Sequence, residues 1–352
     1  MIDREDRKFM RRCIQLAGRG MGNVSPNPMV GSVIVHKGLI IGEGYHRKYG
    51  ESHAEVNAVK SVYDKSLLKQ STLYVSLEPC AHVGKTPSCA KMIVELGIPK
   101  VVVGSIDSYF QVAGKGIEIL KSANIEVITG VLEKECLKLN DRFYTYHQKN
   151  RPYIILKWAK TLDGFIDYMR DPNEDTKAEW ITNELCKTIV HKLRTEEDAF
   201  MVGTNTIILD DPQLTARKWA GRNPVRITID QYCQLDKSYK VFDNQAHTIV
   251  FNSVKDENSG NVSYIKVDFS QNIIPQILEV LFELEIQSLV VEGGAKTLES
   301  FISMDLWDKA LVFTGNQLFI KGVKSPSISC VKSRTTTFGD STLELFYNNE
   351  YI

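Results

Sequence analysis

The sequence predicts an α/β protein of two domains, residues 1–148 and 149–352, and three observations lead there. The chain has 352 residues, more than a single hydrophobic core usually spans. Apolar strand-like runs alternate with helical periodicity in both halves, the pattern of partly parallel sheets covered by helices. Asn150-Arg151-Pro152 interrupts that alternation near the middle and is the best linker candidate.

Residues 4–17 are expected to form an amphipathic helix, with Phe9, Met10, Cys13, Ile14 and Leu16 on one side and Gly18 and Gly20 ending it. The turn-rich loop Asn23-Val24-Ser25-Pro26-Asn27-Pro28-Met29-Val30-Gly31 follows, stiffened by two prolines. Asn27 could either present its amide to a ligand ring or serve the turn. Residues 30–35 and 39–41 read as a hairpin about His36-Lys37-Gly38. Next come a helix over 53–59, a strand over 72–77 and a helix over 87–96, with Thr86 as N-cap, Pro87 at its first position and Gly97 beyond its end. A strand over 101–104, a helix over 116–122, a strand over 125–129 and a helix over 132–146 complete the first domain.

Chemistry concentrates between His53 and Cys89. His53-Ala54-Glu55 is followed by Pro79-Cys80 and, with eight residues between, Cys89. One neutral imidazole and two thiolates suit Zn²⁺, and three protein ligands leave a fourth tetrahedral position for water, whose pKa the metal brings to roughly 7. Glu55, not needed as a ligand, can move the proton, and H-x-E with P-C and a second cysteine is the zinc-deaminase pattern. Ser52-His53-Ala54-Glu55 also fits a helix capping box, which would explain Glu55 but neither cysteine. His82 could touch substrate or support a ligand. Cys13, Cys136, Cys186, Cys233 and Cys330 read as plain thiols; seven scattered cysteines argue against a disulfide framework.

These residues resemble the deaminase half of the bifunctional riboflavin-biosynthesis deaminase/reductase family. The resemblance rests on Ser25-Pro26-Asn27-Pro28-Met29-Val30-Gly31, on His53 and Glu55, and on Leu77-Glu78-Pro79-Cys80-Ala81-His82-Val83-Gly84-Lys85-Thr86-Pro87-Ser88-Cys89, whose eight-residue spacing replaces the two usual in zinc deaminases. It implies a cytidine-deaminase-like three-layer domain with one Zn²⁺ per chain on His53, Cys80 and Cys89, Glu55 as catalytic residue, and Asn27, His46 and Lys85 as substrate contacts. Tyr109 stands where the family has an asparagine.

In the second half, residues 153–158 read as a buried strand, Thr161-Leu162-Asp163-Gly164 as a turn, and 168–179 as an Asp-rich surface loop. A helix over 183–194 and a strand over 200–202 ending in Gly203-Thr204-Asn205-Thr206 precede Asp210-Asp211-Pro212-Gln213-Leu214-Thr215. Strands over 225–229, 248–251 and 264–267 come before a helix over 274–284. Ser288-Leu289-Val290-Val291 then runs into Glu292-Gly293-Gly294-Ala295-Lys296, a strand–turn–helix that suits a phosphate as well as it suits a tight turn.

Leu162-Asp163-Gly164, Trp180-Ile181-Thr182, the Asp210 segment with Arg217, and Val291-Glu292-Gly293-Gly294 resemble the reductase half of the same family. That implies a dihydrofolate-reductase-like α/β domain binding NADPH. By this likeness Ala159, Trp180, Thr206, Asp210 and the run Gly294, Ala295, Lys296, Thr297, Leu298, Glu299 and Ser300 contact NADPH, while Arg194, Leu214, Arg217 and Glu292 contact the substrate, the arginines meeting its phosphate. Ala178 and Gln231 replace family serines, and Phe319-Ile320-Lys321-Gly322 replaces a Leu-Gly-Gly.

The implied activity is deamination of a diaminopyrimidinone ribosylamine 5′-phosphate followed by NADPH-dependent reduction of its ribosyl group. The alternative is a tRNA-type nucleic-acid base deaminase with an accessory domain. Overall charge is zero, and residues 1–150 carry 21 Lys/Arg against 15 Asp/Glu, which suits a small phosphorylated pyrimidine better than the dense basic stripe of a nucleic-acid groove. No run of about 18 apolar residues predicts a membrane span. The charged beginning Asp3-Arg4-Glu5-Asp6-Arg7-Lys8 is unlike a secretion signal, so a cytoplasmic location is expected. Homo-oligomerisation is left open.

Overall fold

The computed structural model describes residues 3–81, 88–106, 114–170, 179–330 and 332–348. By its contacts the chain divides into two compact units, Met1–Lys149 and Asn150–Ile352.

In the first unit the order is α1 (Arg4–Ala17), β1 (Gly31–His36), β2 (Leu39–Tyr45), α2 (Ala54–Ser61), β3 (Thr72–Leu77), α3 (Cys89–Leu96), β4 (Lys100–Ser105), α4 (Lys115–Ser122), β5 (Glu126–Ile128), α5 (Glu133–Leu139) and α6 (Asp141–Lys149). The strands form one sheet in the order β2-β1-β3-β4-β5. Strand periodicity sorts the core into two faces. Val33, Val35, Tyr74 and Val102 pack with Phe9, Met10 and Cys13 of α1 and Cys136 of α5. The alternate residues Ile34, Leu73, Val75, Val101 and Val103 pack with Ala58, Ala90, Ile93 and Leu120 of α2, α3 and α4. Three layers result.

The topology gathers functional residues at one edge. β1 is antiparallel to both β2 and β3, so β2 and β3 point the same way and their carboxyl ends share a side of the sheet. The chain leaving β2 enters α2 there, and the chain leaving β3 reaches Cys80 there.

Two differences from expectation bear on the site. α3 starts at Cys89 with Ser88 as N-cap, its side chain accepting from the Lys91 N–H; Thr86 and Pro87 lie outside the described residues. The single helix expected over 132–146 is two, broken at Asn140. That buried side chain accepts from the Met29 N–H at 2.7 Å and donates to the Met29 carbonyl at 3.0 Å, pinning the loop that carries Asn27.

The second unit runs β6 (Tyr153–Lys160), β7 (Phe165–Tyr168), α7 (Glu184–Glu196), β8 (Ala199–Gly203), α8 (Thr204–Asp210), β9 (Val225–Ile229), β10 (Thr248–Asn252), β11 (Glu257–Ser259), β12 (Val262–Lys266), α9 (Ile273–Glu283), β13 (Ser288–Glu292), α10 (Ala295–Ser303), β14 (Lys309–Thr314), β15 (Gly322–Lys324), β16 (Lys332–Phe338) and β17 (Ser341–Tyr347). A ten-stranded sheet has the order β11-β12-β10-β9-β8-β13-β6-β14-β17-β16, and β15 pairs with β7. The strands from β12 to β14 in that order are parallel; β11, β17 and β16 are antiparallel additions at the edges. α9 and α10 cover one face, burying Ile277, Leu281, Leu298 and Phe301. α7 covers the other with Cys186 and Val190. The carboxyl ends of β6, β13 and β8 therefore lie side by side, where open α/β sheets bind ligands. No helix among the described residues is long and apolar enough to cross a membrane.

Candidate functional sites

His53 is the N-cap of α2 but makes no side-chain cap hydrogen bond. Its imidazole is turned instead to the cysteines, and the capping box centred on Ser52 is not formed. His53 Nδ1 lies 3.6 Å from Cys80 Sγ and 3.4 Å from Cys89 Sγ, and the three donor atoms all fall within 4.8 Å of one another. For zinc with Zn–N of about 2.0 Å and Zn–S of about 2.3 Å, tetrahedral angles give an N–S edge of roughly 3.5 Å. The observed spacing therefore fits that ion, and so does the donor chemistry: all seven cysteines, Cys80 and Cys89 included, are free of disulfides.

The local electrostatics favour thiolate at Cys80. Its hydrogen bond with Cys89 is the main cause, with His53 and the Cys89 backbone N–H, 3.3 Å from Cys80 Sγ, adding to it against burial; the thiol is pushed well down. Cys89 moves the other way, as proton-bearing partner of the pair and by burial. Donating to the Cys80 sulfur raises His53. Glu55, in the first turn of α2, is 3% exposed. Burial, assisted by the charge of Cys80, pushes its carboxyl up to about 7, and it contacts the Cys89 thiol. A buried carboxyl near neutrality can both take and give a proton.

Asn27 and His46 adjoin this cluster. Asn27 Nδ2 is 3.1 Å from His46 Nε2, and His46 Nδ1 is 3.2 Å from the Ser52 carbonyl. Nδ1–H thus donates to Ser52 while Nε2 accepts from Asn27, a neutral tautomer consistent with the downward shift that burial gives His46. The His46 and His53 rings meet edge to face at 5.6 Å. Lys85, His82 and Tyr109 lie outside the described residues.

In the second unit, Glu292 ends β13 directly opposite Lys157 of β6. Lys157 Nζ is 3.3 Å from Glu292 Oε1, and Arg194 Nη2 is 3.3 Å from Oε2. Burial alone would raise the Glu292 carboxyl, but these two cations overcome it and hold it below the usual range. Arg194 also donates to the Thr215 carbonyl at 3.2 Å. His191, one turn earlier on α7 and 2% exposed, meets the same Thr215 backbone and is held neutral by burial and by the charges of Arg194 and Arg217, down to about 4. Arg194 is therefore engaged by protein, whereas Arg217 is exposed and bonds the neutral oxygens of Gln213 (2.6 Å) and Thr215 (3.2 Å). Among the described residues no carboxylate comes within ion-pair range of Arg217. Leu214 is buried, in a left-handed conformation with φ 55°.

The turn after β13 needs its glycines. Gly293 has φ 115°, and a Cβ there would stand 2.8 Å from Thr206 Oγ1. The Gly294 N–H donates to that same hydroxyl at 3.2 Å. Gly294 is the N-cap of α10 and no side chain caps the helix, so its first N–H groups are available to an anion. Ala295, Lys296 and Thr297 occupy the first turn, Glu299 and Ser300 are exposed, and Leu298 is core, so only its backbone could meet a cofactor. Asp210 closes α8 and pairs with Arg170 at 2.8 Å. Trp180 is 44% exposed, with Lys187 Nζ 4.5 Å from its ring centre. Ala159 lies in β6 opposite Phe313 of β14.

Sequence reasoning missed Lys157, Arg170 and His191. Lys157 sits inside an apolar run whose only hint was an unexplained charge. Of the departures, Ala178 lies outside the described residues. The segment at 319–322 is tied to the Leu162-Asp163-Gly164 turn, with the Phe319 and Ile320 N–H groups donating to Asp163 Oδ2 at 3.2 and 2.8 Å.

Comparison with known proteins finds a family match in each unit. The cytidine and deoxycytidylate deaminase zinc-binding region matches residues 3–105, and the RibD C-terminal domain matches residues 152–319. Riboflavin biosynthesis protein RibD of Aquifex aeolicus is 40% identical over 92% of this chain and 90% of its own. The Bacillus amyloliquefaciens protein of that name is 37% identical over 91% and 86%. A crystal structure of a diaminohydroxyphosphoribosylaminopyrimidine deaminase/5-amino-6-(5-phosphoribosylamino)uracil reductase from Thermotoga maritima superposes with a TM-score of 0.88 at 38% identity, covering 97% of this chain and 98% of that one. The first unit is thus a cytidine-deaminase-like domain with a zinc-binding region, and the second a reductase domain of dihydrofolate-reductase-like α/β type, which implies a nicotinamide cofactor. On identity and coverage of this extent, the chain belongs to the RibD family of riboflavin-biosynthesis proteins.

Proposed function

We propose that this chain carries out two successive steps of riboflavin biosynthesis: hydrolytic deamination of 2,5-diamino-6-(5-phosphoribosylamino)pyrimidin-4(3H)-one in the first unit, then NADPH-dependent reduction of the ribosyl group of the product to ribityl in the second. The observation that carries the reading is the His53, Cys80 and Cys89 donor triangle, sized for zinc, with a buried carboxyl beside it.

Zinc held by those three residues supplies the Lewis acidity that makes water a nucleophile near neutral pH. Glu55 takes the water's proton, delivers it to the pyrimidine ring nitrogen and then assists the departing ammonia. Asn27, its amide plane fixed by His46, and Lys85 orient the ring. In the second unit NADPH would supply the hydride for reduction of the ribosyl group. Thr206, Asp210, Trp180, Ala159 and the turn from Gly294 to Ser300 hold the cofactor. Arg217, whose guanidinium has no carboxylate partner among the described residues, binds the substrate phosphate. Arg194 and Leu214 shape the same pocket, while Glu292, its charge balanced by Lys157 and Arg194, orients the sugar. We place the enzyme in the cytoplasm, with small molecules rather than nucleic acid as its partners.

The test is to give zinc-loaded protein the diaminopyrimidinone phosphate with and without NADPH. Ammonia should appear in both cases and the ribityl product only with NADPH. Ammonia from adenosine or cytidine in single-stranded RNA, and none from the pyrimidine, would replace this reading with a nucleic-acid deaminase.

A further inference from the structure

Glu78 stands just beyond the carboxyl end of β3, two residues before Cys80, and is 8% exposed. Its carboxylate is occupied by the start of a different helix. Oε1 accepts from the N–H groups of Gly116 (2.9 Å) and Ile117 (3.3 Å), and Oε2 from that of Gly114 (2.9 Å). Gly114 is the N-cap of α4 and has no side chain to offer, so a carboxylate from the neighbouring strand does the capping. Charged acceptors make stronger bonds than neutral ones, and the helix N-terminus favours negative charge.

The backbone contact at that point is close. A Cβ on Gly116 would stand 1.9 Å from the Pro79 carbonyl oxygen, so α4 rests directly on the segment joining Glu78 to Cys80. From the other side α3 holds Cys80: Ser88 Oγ and the Ala90 N–H donate to its carbonyl at 2.7 and 3.2 Å, and the Cys89 N–H lies 3.3 Å from its sulfur. Cys80 is thereby fixed between two helix N-termini, one bonded to it directly and the other through Glu78.

We propose that Glu78 is a positioning residue of the metal centre. By clamping the Pro79 peptide between β3 and α4, it keeps Cys80 Sγ within ligand distance of His53 and Cys89 without itself ligating. The inference rests on reading those three residues as metal ligands. Groups that orient ligands from behind typically alter metal affinity by about 10- to 100-fold when changed.

The experiment uses the full chain carrying Glu78→Gln, near in size, whose amide sets a donor against one of the three N–H groups. Zinc affinity is measured by competition with a chromophoric chelator, and the site geometry by the visible absorption of the Co²⁺-substituted protein. The clamp predicts about 10- to 100-fold weaker zinc binding and a weakened or shifted tetrahedral Co²⁺ band. Gly116→Ala leaves the carboxylate intact but must displace the Pro79 carbonyl, so it should give the same two changes; it also serves if Glu78→Gln does not fold. Wild-type zinc affinity and an unchanged cobalt spectrum in the soluble variants, even with lowered thermal stability, would make Glu78 only a helix cap and overturn the proposal. A wild-type chain that takes up no zinc would instead overturn the metal reading on which it rests.

Discussion

Glu292→Gln tests the charge balance of the reductase site. The substitution is nearly isosteric, so it opens no cavity; it leaves Lys157 and Arg194, with side chains 13% and 9% exposed, facing a neutral amide. Removing one partner from a buried ion pair costs about 3–5 kcal/mol, because the remaining charge stays desolvated. In a unit of this size 1 kcal/mol lowers the unfolding midpoint by about 2–4 °C, so the expected fall is roughly 6–20 °C. The sign with pH also follows. The folded carboxyl lies below its ordinary value, so its contribution is complete above the usual glutamate range near ~4.3 and disappears as pH falls through the lower folded value. Calorimetry of wild type and variant should therefore show the full gap at neutral pH, closing on acidification. Adding Lys157→Met should recover part of the loss. A neutral-pH shift below about 2 °C, or a gap that widens in acid, would refute the reasoning.

Three further outcomes follow from the geometry. Stripping the metal with a chelator should abolish ammonia release while leaving NADPH-dependent reduction of the already deaminated substrate near its original rate; persistent ammonia release would remove the metal from the mechanism. Arg217→Ala should raise the reductase KM by about 10- to 100-fold for the phosphorylated substrate and hardly at all for its dephosphorylated form, since a charged hydrogen bond is lost; equal effects on both would take the phosphate away from Arg217. Gly293→Ala forces a side chain into a φ of 115° and against Thr206 Oγ1, so KM for NADPH should rise severalfold, and an unchanged value would remove this turn from the cofactor site.

The zinc-type triangle was legible because its chemistry is carried by rare residue types at an unusual spacing, and because two parallel strands bring distant segments to the same sheet edge. The three-layer first unit was legible for a related reason: Val33, Ile34 and Val35 alternate between two cores, as a strand must. α8 was not anticipated. Its sequence, Thr204-Asn205-Thr206-Ile207-Ile208-Leu209-Asp210, is rich in weak helix formers, and the burial of Ile207 against Val202 and Leu214 overrides that preference. The terminal pair β16 and β17 also escaped notice; β16, the Thr-rich edge strand, offers little apolar alternation. Lys157 and Glu78 were invisible for a different reason. Their partners, Glu292 for the one and the backbone of Gly114, Gly116 and Ile117 for the other, are long-range products of the fold that no local spacing announces.

The most direct measurement of the central claim pairs metal content with ammonia release in wild type and Glu55→Gln. Wild type should hold one zinc per chain and deaminate the diaminopyrimidinone phosphate. The variant, with all three ligands intact, should hold the same zinc yet release ammonia slower by about 10²- to 10⁴-fold, the usual loss on removing a proton-transfer group. A Glu55→Gln protein that deaminates at the wild-type rate, or a wild-type protein that works with no metal on His53, Cys80 and Cys89, would contradict the account.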